Sequence, residues 1–131
     1  MKKKSSLIII AVIVIAAIAG ALYWKNTTAV SNDGKYDSLA KCLTEKGVKM
    51  YGAWWCPHCQ NQKKSFGSSW QYVNYIECSL PNRAGSTQIC IQANISTYPT
   101  WEFKDGTRLE GQLSVVDLSD HSGCDLDLIK V

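Results

Sequence analysis

The sequence predicts an α/β domain with a central mixed sheet flanked by helices, preceded by a single N-terminal transmembrane helix. Three observations carry that expectation. An uncharged apolar run from Leu7 to Trp24 follows three lysines. Residues 48–77 read as strand, helix and strand with short links, the order of a parallel pair joined by a crossover. Trp101 to Glu110 then alternates apolar and polar residues about Asp105-Gly106, the pattern of an antiparallel hairpin.

Residues 1–25 read as cytoplasmic lysines and a transmembrane signal anchor. A helix from Leu7 to Trp24 would rise about 27 Å. That nearly matches a hydrocarbon core of roughly 30 Å, and Lys2, Lys3 and Lys4 would hold its first end in the cytoplasm. The competing reading is a cleaved signal peptide, since Ala17-Ile18-Ala19 fits a small-residue cleavage pattern. Apolar character continuing through Leu22, Tyr23 and Trp24 favours the anchor, and with it an extracytoplasmic C-terminal part in the periplasm or at the cell exterior. Residues 26–34 are a polar, turn-rich tether, and residues 35–131 leave room for one domain. The formal charge of +3 is accounted for by Lys2, Lys3 and Lys4, so the exported part is neutral. It offers no basic surface for nucleic acid.

Within the domain, Tyr36, Leu39, Ala40 and Leu43 recur at helical spacing, which predicts a helix over 35–46 stopped by Gly47. Val48 to Trp54 is rich in β-branched and aromatic residues and predicts a strand. A helix follows from Pro57, which suits a first helical position, to about Phe66, with Gly67 as its stop. Tyr72 to Glu77 predicts a second strand. Ser86 caps a short helix through about Ala93, Trp101–Lys104 and Thr107–Glu110 form the hairpin, and Ser114-Val115-Val116-Asp117 opens a last helix that Gly123 ends.

The chemistry concentrates in Cys56-Pro57-His58-Cys59. Two cysteines spaced C-x-x-C after a strand and opening a helix make a redox pair, with the first sulfur at the positive end of the helix dipole. Cys56 is the expected nucleophile and Cys59 the resolving partner. Pro57 and His58 tune the thiolate, the imidazole by its charge. The competing reading is half of a zinc site, but Cys78 and Cys90 are too widely spaced to supply a second close pair. The expected reaction uses the two sulfurs alone, with no cofactor and no metal.

The element order resembles the thioredoxin fold over residues 35–131. Closer in, Lys49 to Cys59, Tyr75-Ile76-Glu77-Cys78 and Ser96-Thr97-Tyr98-Pro99-Thr100-Trp101 resemble the thioredoxin-like domain of bacterial and plant vitamin K epoxide reductase homologues. That resemblance implies a thiol-disulfide oxidoreductase whose partner is a quinone-linked membrane oxidase of the vitamin K epoxide reductase type. In that family the redox domain is commonly fused to a four-helix quinone-reducing module. This sequence has a single apolar segment, so the implied partner is a separate protein. Pro-His between the cysteines resembles disulfide oxidases of the DsbA type, which implies donation of disulfides to exported thiol-containing proteins. The alternatives are a reductase or isomerase fed by a transmembrane electron carrier, and a non-catalytic disulfide-rich binding module. The resemblance also implies that Pro99 is cis and faces the redox pair, so that the Tyr98 backbone could pair with an extended substrate. Met50 stands where reducing thioredoxins carry a buried aspartate, which leaves the proton acceptor for Cys59 unassigned.

The other four cysteines follow the apolar run, and an even total of six fits an oxidising compartment. A Cys78–Cys90 bridge would restrain the 79–89 loop, the alternative being a second redox relay. Cys42 and Cys124 then pair by elimination if their helices pack together. Trp55, beside the nucleophile, is the expected substrate-facing tryptophan, with Trp54 and Trp101 in the core.

Overall fold

The computed structural model describes residues 10–20 and 34–126, and the chain falls into two units, Met1–Ser31 and Asn32–Val131. In the first unit, residues 10–20 form helix α1, exposed throughout. A helix of that length rises about 16 Å, roughly half of a ~30 Å hydrocarbon core. Among the described residues no helix is long and apolar enough to cross a membrane. The expected transmembrane helix over Leu7 to Trp24 is therefore corrected: the part of that span that is described, residues 10–20, is helical but not long enough to cross a membrane. Residues 7–9 and 21–24 of that span, and residues 26–33 of the tether, lie outside the described residues.

The second unit begins with α2 (Asp37–Glu45), whose helical spacing buries Leu39, Ala40 and Leu43. Strand β1 (Lys49–Gly52) leads to α3 (Pro57–Phe66). A 3-10 turn over Gly67–Tyr72 follows, then β2 (Tyr75–Glu77). A second short 3-10 turn at Pro81–Arg83 precedes α4 (Gln88–Gln92). The chain closes with β3 (Thr100–Glu102), β4 (Arg108–Glu110) and α5 (Val115–Ser122).

The four strands form one mixed sheet in the order β2-β1-β3-β4. β1 pairs in parallel with β2 and antiparallel with β3, which pairs antiparallel with β4. Both neighbours of β1 are thus filled, and the C-x-x-C segment leaves from an interior strand. Side chains alternate across that strand. Met50 enters the larger core with Leu39, Leu43, Phe66, Trp101 and Leu118, whereas Tyr51 packs with Cys78 and Cys90 in a smaller cluster. Each fully buried leucine or phenylalanine contributes about 1.5–3 kcal/mol.

Most elements lie within a residue or two of their predicted positions, and the differences have local causes. β2 starts at Tyr75 rather than Tyr72. The preceding residues coil because Trp70 packs its ring on Phe66 and Tyr75, with centroids 5.9 and 5.7 Å apart, and Ser69 Oγ accepts the Tyr36 N–H. Thr87 rather than Ser86 takes the N-cap position of α4, without a side-chain cap bond, its hydroxyl donating to the Glu77 carbonyl while Ser86 is held in a β-bridge to Ser79. Ser114 and Asp117 form a full capping box on α5, and Gly123 takes the left-handed conformation that ends it.

Candidate active site

Beyond Gly52 the chain turns through Ala53-Trp54-Trp55, and the Cys56 N–H closes that turn on the Ala53 carbonyl at 3.0 Å. Cys56 is the N-cap of α3 and Pro57 occupies its first turn. The Cys59 N–H donates to Cys56 Sγ at 3.4 Å. Cys56 keeps 5% exposure while Cys59 keeps none. Both are buried, and Cys56 keeps what little exposure the pair has. Burial, and then the hydrogen bond with Cys56, push the Cys59 thiol up to about 12; the Ala53 backbone and Lys63 pull the other way without cancelling this.

On its other side, Cys56 Sγ donates to the Tyr98 carbonyl at 3.6 Å, and the Tyr98–Pro99 peptide bond is cis. Trp55 sets its ring edge-on to Tyr98 at 6.1 Å, and its Nε1 donates to Ser79 Oγ at 2.8 Å. The Arg83 guanidinium lies over the Trp55 ring at 5.1 Å. Trp55, Ser79, Arg83, Ser86 and Tyr98 share in lining a shallow pocket of about 180 Å³. The structure thus brings Cys56, Cys59, Trp55, Tyr98 and Pro99 together. It leaves His58 apart: exposed on α3, it makes no hydrogen bond to either sulfur among the described residues. Trp101 is fully buried, whereas Trp54, expected in the core, is 49% exposed because its position in the turn carries it off the sheet.

Cys78 is bonded to Cys90 and Cys42 to Cys124, with Cα atoms 5.5 and 5.9 Å apart. Cys56 and Cys59 are the free pair. Cys78 and Cys90 are both fully buried. Among the described residues no cluster of three or more His, Cys, Asp and Glu side chains could hold a metal ion.

Two features of the site were not anticipated from sequence. Gln62, one turn beyond Cys59, is fully buried, and its amide both donates to the Leu113 carbonyl at 3.0 Å and accepts the Leu113 N–H at 2.8 Å. It fastens α3 to the chain entering α5. The second feature is a group behind Cys59. Tyr75 Oη donates to Glu77 Oε2 at 2.7 Å, and Glu77 Oε1 accepts the N–H groups of Trp54 at 3.2 Å and Ser79 at 2.8 Å. Burial, and then the Glu77 carboxylate, push the Tyr75 hydroxyl well above its ordinary range, so it stays protonated. The signal for this group lay in the β1–β2 register, which pairs Met50 with Tyr75 and Gly52 with Glu77.

No family model matches the sequence. It is 36% identical over 109 residues to the Arabidopsis thaliana protein named thiol-disulfide oxidoreductase LTO1, a match that covers 80% of this chain and 29% of that protein. The likeness supports a thioredoxin-like redox domain. The chain spans about 29% of the length of that relative. In the redox domain described above, the free pair opens a helix.

Proposed function

We propose that this protein is an extracytoplasmic thiol-disulfide oxidoreductase that donates disulfides to exported proteins. One observation carries the reading: the sulfur of Cys56 sits at the N-terminus of α3 and against the Tyr98 carbonyl, with the fully buried Cys59 bonded to it through its N–H. A substrate thiolate attacks Cys56 Sγ of the oxidised pair, the Cys56–Cys59 bond breaks, and Cys59 leaves with the electron pair and takes up a proton. A second substrate thiolate then attacks the substrate sulfur of the mixed disulfide. The substrate leaves oxidised and the pair remains as two thiols. The first N–H groups of α3 meet the charge that the reacting sulfur carries.

Two structural disulfides in a domain this small fit an oxidising compartment. Pro57-His58 between the cysteines favours oxidation over reduction. The resemblance of residues 49–59 and 96–101 to vitamin K epoxide reductase homologues supports a quinone-linked membrane oxidase as the partner that restores the disulfide. The test is to express Cys59→Ala in the native host and identify proteins held on Cys56 as mixed disulfides. Exported cysteine-bearing proteins together with a quinone-reducing membrane protein are expected. An absence of trapped species would overturn the reading.

A further inference from the structure

Met50 is fully buried and cannot accept a proton, yet the buried Cys59 must exchange one with solvent each time the pair opens or closes. Gly52 shows where that proton can go. A Cβ built on Gly52 would lie 3.0 Å from Cys59 Sγ and within 3.4 Å of Tyr75 Oη, with the Tyr75 ring closer still at 2.9 Å. With no side chain at Gly52, the sulfur and the Tyr75 ring and hydroxyl pack against the same backbone position, though no hydrogen bond joins them in this resting state. From Tyr75 Oη a 2.7 Å hydrogen bond leads to Glu77, a half-buried carboxylate at the rim of the same strand. In resting structures such proton-transfer contacts are often loose and tighten in the reactive complex.

We propose that Tyr75 and Glu77 form the proton path of Cys59, with Tyr75 as the relay and Glu77 as the positioning residue and final acceptor. The inference rests on the oxidoreductase reading above. When Cys56 holds a partner sulfur in a mixed disulfide, the Cys59 proton passes to Tyr75 Oη as the proton of Tyr75 passes to Glu77 Oε2. The electron pair left on Cys59 attacks Cys56 Sγ and forms the Cys56–Cys59 bond. The bond from Cys56 to the partner sulfur breaks, and the partner leaves as a thiolate. The pair loses two electrons, the partner disulfide gains them, and Glu77 returns its proton to solvent. When a substrate thiolate opens the pair, the same path delivers a proton to Cys59.

Among the described residues, Cys56 and Lys63 of α3 act on Cys59, while Glu77 from its own strand and Cys59 and Cys56 from the redox pair act on Tyr75. The Lys63 Nζ stands 3.9 Å from the centre of the Tyr75 ring, where its charge favours negative charge building along the path.

The experiment uses the full chain, reduced at the C-x-x-C pair and mixed with dithiobis(nitrobenzoate) in single-turnover mode. The first coloured thiol released reports attack by Cys56, and the second reports closure by Cys59. Glu77→Gln retains the acceptor for Trp54 and Ser79. It is expected to slow the second release by on the order of 10²-fold at neutral pH, leave the first unchanged, and lose its deficit as hydroxide takes over at high pH. Tyr75→Phe should behave alike, and Glu77→Asp should recover part of the rate. Wild-type second-release profiles in both Glu77→Gln and Tyr75→Phe would overturn the proposal. So would a uniform slowing of both releases with no change in pH profile, which is the mark of a structural role. If the wild-type chain itself releases no coloured thiol, the oxidoreductase reading falls and the proton path falls with it.

Discussion

The two disulfides join different parts of the molecule in different ways. Cys42–Cys124 spans 82 residues and ties α2 to the chain leaving α5, where Lys46 Nζ also holds the carbonyls of Ser122 and Gly123 at 2.9 and 2.6 Å. Cys78–Cys90 spans only 12 residues and sits beside the redox pair, sharing a cluster with Tyr98 and preceding Ser79, the partner of Trp55. A bridge at the α2–α5 seam mainly restricts the unfolded chain. A bridge at the redox face also sets the shape of the surface that Cys56 borders.

The largest test of that contrast removes each bridge in turn. On chain-entropy grounds, replacing Cys42 and Cys124 by alanine should cost about 4.5 kcal/mol and replacing Cys78 and Cys90 about 3 kcal/mol. Exchange at Cys56 should order them the other way, unchanged in the first pair and altered in the second. Urea unfolding read beside single-turnover exchange checks both. Equal effects on exchange would erase the distinction between the two regions.

A smaller effect, confined to alkaline solution, separates the redox face from the seam. Burial raises the Cys59 thiol from 9.0 to about 12, so the folded state holds that proton more tightly than the unfolded chain does. The associated stability is complete below 9.0 and is lost as pH climbs towards about 12. Comparing Cys56→Ala with Cys56→Ala/Cys59→Ala isolates it while both bridges stay intact. Unfolding free energy should fall more steeply with pH in the variant that keeps Cys59, and parallel curves would refute this.

The smallest effect belongs to the seam alone. Ser114→Ala removes the cap of α5, in which Ser114 Oγ accepts the Asp117 N–H at 3.1 Å. A loss of about 1 kcal/mol is expected. Exchange at Cys56 should not change, because Gln62 grips the backbone of Leu113 and not the cap.

Elements set by local chemistry were legible in the sequence. Pro57 after Cys56 marked the start of α3, Asp105-Gly106 marked the hairpin turn, and Ser114 with Asp117 marked the cap of α5, because each signal lies within a few residues of its effect. The failures had more than one source. The Trp70 ring packs on its near neighbours Phe66 and Tyr75, and no propensity pattern at Tyr72 shows that this packing shortens β2. The apolar run from Leu7 promised a spanning helix by composition, and the described helix is too short for that. Of the candidate site, Cys56 and Cys59 could be read from their spacing. Gly52, Tyr75 and Glu77 could not, since they meet only through the pairing of two strands more than twenty residues apart.

The sheet has two open margins, β2 and β4, each three residues long. Along β4, Arg108 and Glu110 are exposed on either side of the half-buried Leu109. β4 is thus a short, charged margin of the kind that resists the addition of foreign strands. For a domain proposed to act on exported chains, that edge would give an extended client little to add a strand to.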